Sequence, residues 1–193
     1  MIHVEPQPEP PDFDSTVRQP GQSDLASAEG ELRPHWQHCA VQLWHAYRGV
    51  CAYSSLYIPR GTGARSVDHV LPKSKHRELT YEWSNYRLAC VRMNARKNAL
   101  ERVLDPFEVQ DGWFALELST LQVTPAEGLS EDLRQRVEET IELLDLNDDE
   151  FIQARAAYYE VFRSGEMQFS LIRKHFPFLA MELLRQGIAR EGT

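Results

Sequence analysis

Cysteine is scarce in this chain of 193 residues: Cys39, Cys51 and Cys90 are all there are. A small, odd number sets up no disulfide framework, which removes the stapled secreted scaffolds from consideration. No apolar run approaches the roughly 18 residues of a membrane helix. The start of the chain lacks a basic segment followed by an apolar stretch, so no secretion signal and no membrane partner are expected. A reducing cytoplasm is the simplest location. There is no internal repeat, and compositional bias is confined to residues 1–30, which hold five of the eleven prolines. What is present is ordinary for a globular protein, with 42% hydrophobic residues and 10% aromatics.

The net charge of −8 conceals a strong asymmetry. Residues 60–102 carry ten Lys and Arg against four acids, a local +6 that leaves −14 for the remainder. A basic field of this kind suits phosphate binding, while the acidic remainder repels a nucleic-acid backbone. Up to Glu31 the chain has one Arg and seven acids. Residues 1–30 are therefore expected to form a proline-rich, acidic, mostly extended arm, able to dock on the domain through Phe13–Gly21 and to lie over the basic groove as a decoy for phosphate.

From Pro34 to Tyr47 apolar residues recur at helical spacing, closed by Gly49. His35, His38 and His45 on that helix are read as surface or core histidines. Two extended segments are expected to flank Gly61-Thr62-Gly63, the second running through Ser66–Val70 until Pro72 ends it. A loop over 73–84 leads to a short strand near Tyr86–Leu88. A helix then runs from about Arg92 to Val103, stopping before Asp105-Pro106. A hairpin over 113–123 and helices beyond a Ser130 cap complete the chain, with Asn147 as a further cap and a final pair over 166–175 and 177–187. The fold class is α+β, with residues 31–110 as a core and 111–193 packing on it.

The densest chemistry lies in residues 67–97. Asp68-His69 is followed by Asn85 sixteen residues after the His, Asn94 nine further on, and Lys97 three after that. With Val67, Val70, Leu88 and Leu100 in place, residues 50–107 resemble the HNH nuclease family, a β-hairpin and helix clamped around one divalent metal (ββα-metal). The resemblance implies a metal-dependent endonuclease. His69 is the general base, a neutral imidazole able to take a proton from water. Asp68 and Asn94 are the metal ligands, and two hard oxygens suit Mg²⁺ or Mn²⁺ rather than zinc. On a regular strand Asp68 and His69 face opposite ways, so a bulge or local twist must bring both to the site. Asn85 ties the intervening loop to the hairpin and acts indirectly. Lys97 holds a phosphate oxygen, with Arg96 and Lys73 as further phosphate-binding candidates.

Many HNH proteins also carry two Cys-x-x-Cys pairs that bind a structural zinc. Here those places read Cys51-Ala52-Tyr53-Ser54 and Cys90-Val91-Arg92-Met93. Two thiolates cannot close a tetrahedral site, so no structural zinc is expected. Val17–Gly21, Asp105-Pro106-Phe107 and Pro177–Leu183 look like bacterial antiphage-defence HNH proteins of the retron and Septu type, which work beside an ATPase. DNA is the expected substrate. An RNA-cutting toxin and a partner-gated or non-catalytic subunit binding nucleic acid or an ATPase are the alternatives.

Overall fold

The structure is a computed structural model and describes residues 1–27 and 31–190. It is α+β, and its chain divides into two compact units. One comprises Glu5–Gly49 and Ile58–Glu101; the other comprises Met1–Val4, Val50–Tyr57 and Arg102–Thr193. These limits differ from boundaries near 30 and 110, because short stretches of the N-terminal half are built into the second unit. No helix among the described residues is long and apolar enough to cross a membrane.

The first unit opens with an extended stretch, then a π-helical turn Asp14–Arg18 running into α1, Gln19–Ala26. The expectation of an extended arm is corrected here for residues 14–26; residues 28–30 lie outside the described residues. Helix wins because two apolar side chains find a core. Phe13 and Val17 are fully buried, and Phe13 meets Trp83 and Tyr86 edge to face at 5.6 and 5.9 Å. Pro20, which has no N–H to donate, follows directly on the π-helical turn at the start of α1. Gly21 lies against the Tyr81 ring so closely that an added Cβ would stand 2.1 Å from it. The carboxylates of this segment are matched locally: Glu9, Asp14 and Glu82 all bond Arg18, and Asp24 bonds His35. None of the described residues of 1–30 lines the cleft described below, so the segment is not a phosphate decoy over it.

A 3-10 turn His35–Cys39 leads into α2, Ala40–Ala46. Strand β1, Arg65–His69, pairs antiparallel with β2, Tyr86–Cys90, in the unbroken register from Arg65↔Cys90 to His69↔Tyr86. The segment before Gly61 is not a partner strand; β1 finds its partner across the loop 70–85 instead. Helix α3, Val91–Lys97, follows β2 directly, and both α2 and α3 pack on the strand pair. It ends short of the expected Val103 because Asn98 takes a positive φ of 38°, which turns the chain back.

The second unit holds the hairpin β3, Phe114–Glu117, and β4, Gln122–Pro125, with α4 (Glu131–Leu144), α5 (Asp149–Arg163), α6 (Phe169–His175) and α7 (Pro177–Arg185). Ser130 caps α4 by accepting from the Leu133 N–H. Asn147 does not cap α5; Asp148 does, and the Asn147 amide exchanges two hydrogen bonds with the backbone of Val123. The buried Arg155 guanidinium donates to the carbonyls of Phe151, Leu121 and Leu146, tying α5 to the hairpin's end.

Candidate active site

Strand β1 and helix α3 bring Asp68, His69 and Asn94 to one cleft of about 840 Å³ in the first unit, with Trp36 and Lys73 also on its wall. The ladder carries no bulge through His69↔Tyr86. All five residues of β1 line the cleft, so Asp68 and His69 both reach it although they are neighbours on the strand. Asp68 is nearly inaccessible and stands across the ladder from Arg87.

The imidazole of His69 is fixed on three sides. Its Nε2 lies 2.9 Å from the Thr80 carbonyl, and the rings of Trp36 and Tyr86 stand edge-on at 5.0 and 5.1 Å. A carbonyl only accepts, so Nε2 carries the proton and Nδ1 keeps its lone pair in the neutral ring. The Tyr86 hydroxyl donates to that same carbonyl at 2.8 Å. Burial pushes the imidazole pKa down to about 4, helped by the charges of Lys73 and Lys97 and opposed by the Thr80 bond. The ring is therefore neutral at pH 7.

Asn85 is buried and spends its amide on the loop. Its oxygen accepts from Leu71 N–H at 2.8 Å, and its nitrogen donates to the carbonyls of Leu71 and Leu79 at 3.0 and 3.1 Å. The segment that delivers Thr80 to His69 is thus closed at both ends. On α3, the Asn94 nitrogen donates to Ser66 Oγ at 2.7 Å, which orients the amide and leaves its oxygen on the opposite side.

No family model and no curated protein sequence matches the chain. What can be said of the site rests on its geometry.

Lys97 is not placed to hold a phosphate. It is completely buried, and its ammonium donates to the carbonyls of His69 at 3.2 Å and Val70 at 2.9 Å. One helical turn past Asn94 points it beneath the strand end rather than into the cleft, so its work is to fix the backbone that carries His69. Arg96 is half-buried and does not line the cleft; Lys73 is exposed and does. Cys51 and Cys90 fall in different units, and none of the three cysteines is in a disulfide.

Three contributors were not foreseen. Ser66 shares the strand face of Asp68 by the period of two, a signal that alternation alone carries. Trp36 comes from a turn far earlier in the chain, and the Thr80 contribution is a backbone carbonyl, which leaves no mark in a sequence. Among the described residues no three His, Cys, Asp or Glu converge as a metal cluster. Asp68 and Asn94 both line the cleft, and their oxygen donors are of the type that suits a hard cation keeping several waters.

Proposed function

We propose that this chain is a metal-dependent HNH endonuclease that hydrolyses phosphodiester bonds in DNA. The observation that carries the reading is the convergence of Asp68, His69 and Asn94 on one cleft, with His69 held neutral and its Nε2 committed to Thr80. The two strands followed directly by a helix, β1, β2 and α3, match the ββα arrangement that the resemblance implies.

In this reading Nδ1 of His69 accepts the proton of the attacking water. Asp68 and Asn94 hold the divalent ion, for which Mg²⁺ or Mn²⁺ suits the oxygen donors. When bound, such an ion polarises the phosphodiester and stabilises charge on the leaving oxygen. Asn85 and Lys97 position His69 through the backbone, and Lys73 steadies the phosphate. Likeness of the flanking segments to antiphage-defence proteins makes an ATPase the partner we would seek.

Plasmid cleavage by the purified chain with Mg²⁺ or Mn²⁺, beside His69→Ala, tests this. Loss of the general base is expected to slow cutting by about 10²–10⁴-fold. Cutting that survives His69→Ala unchanged would remove His69 from the chemistry. No cutting with either metal would leave the chain a partner-gated enzyme or a binding subunit, which adding the ATPase partner then separates.

A further inference from the structure

Trp36 has no task in phosphodiester hydrolysis, yet it stands at the reacting end of the cleft. Its ring is half-exposed, lines the cleft and meets His69 edge-on. The Nζ of Lys73 lies over its face, 5.0 Å from the ring centroid. Lys73 itself is exposed, so solvent competes for its charge and the contact is readily exchanged. The Tyr81 ring lies 6.0 Å from the indole with an interplanar angle of 34°, and its hydroxyl donates to the Arg33 carbonyl at 2.9 Å. The indole thus has a fixed aromatic neighbour and one exposed cation over a face.

We propose that Trp36 is a nucleobase-stacking platform, capped by Lys73 in the free protein, that makes the cleft prefer single-stranded over duplex DNA; the proposal rests on the nuclease reading for its substrate class. A phosphate entering the cleft draws the Lys73 ammonium off the ring, and the base beside that phosphate takes the vacated face. Duplex bases are stacked on their own neighbours and offer no free face, so they gain the phosphate contact without the stack. The edge-on approach of Trp36 to His69 sets that base next to the phosphate His69 serves.

The test is fluorescence anisotropy at low salt in EDTA, with a labelled single strand of about 15 nucleotides and the matching duplex. The wild type is expected to bind the single strand more tightly. Trp36→Leu should lower the ratio of duplex to single-strand Kd about tenfold, and Trp36→Phe, which keeps an aromatic face, should retain most of it. A ratio indifferent to both substitutions overturns the platform. Lys73→Gln, at an exposed position that does not threaten folding, should reduce the salt slope of single-strand binding by about one; an unchanged slope overturns the exchange. Cleavage with Mg²⁺ separates the two readings. Trp36-dependent preference without His69-dependent cutting would leave the platform and remove the nuclease. Cutting with no Trp36-dependent preference would do the reverse, and no single-strand binding together with no His69-dependent plasmid cutting would remove both.

Discussion

The imidazole of His69 sits 7% exposed between two aromatic edges, with its one proton on Thr80. Keeping it neutral is a property of the fold, because burial penalises the charged ring. Its folded pKa of about 4 is below the ordinary value of 6.5, so between those values the unfolded chain binds a proton that the folded one does not. Stability must then rise with pH across that window and be lost as pH falls through it. Between pH 7 and pH 5 this one group removes about 2 kcal/mol. Urea titrations in chelator should show that loss in the wild type, and less of it by that amount in His69→Gln, which can still donate to Thr80. Equal pH dependence in both proteins would mean that the ring is not buried neutral.

The π-helical turn and α1 show how a segment poor in helix-formers becomes helical. Asp14–Ala26 contains a proline, a glycine and several short polar residues, all unfavourable in isolation. Phe13 and Val17 decide the outcome by burial, Phe13 against Trp83 and Tyr86, and Tyr86 in turn is the ring against His69. Phe13→Ala should therefore destabilise the protein by about 3–5 kcal/mol, read by chemical denaturation. An effect below about 1 kcal/mol would return this segment to the status of a loose arm. Truncation of the first 25 residues belongs to the same argument: it removes part of the core and should impair folding rather than release activity.

Charge acts over the whole chain. The +6 of residues 60–102 is set within a protein of net −8, so attraction for a polyanion is local and short in range. Arg65 and Lys73 are the cations on the cleft wall, and two phosphate contacts imply a salt slope near −2. DNA binding should weaken roughly tenfold between 50 and 200 mM salt. Salt-independent binding would show that phosphates are not what the cleft recognises.

Local order was legible from residue type and spacing. The extended segment before Pro72 marked β1, and Ser130 announced α4 by its cap. The β3–β4 hairpin and the pair α6 and α7 stand where their apolar patterns put them. These are features set by neighbours along the chain, within a turn or a strand length. Other outcomes depend on partners distant in sequence. The 3.6-residue period cannot tell that Lys97 faces two strand-end carbonyls instead of solvent. Proline and acid content cannot tell that Phe13 finds an aromatic pocket built from residues 83–86. Trp36 meets His69 only because the chain folds back over thirty residues, and the carbonyl of Thr80 has the same chemistry in any residue. Burial and backbone hydrogen bonding are properties of the assembled unit, and they alone separate the buried positioning lysine from the exposed one on the cleft wall.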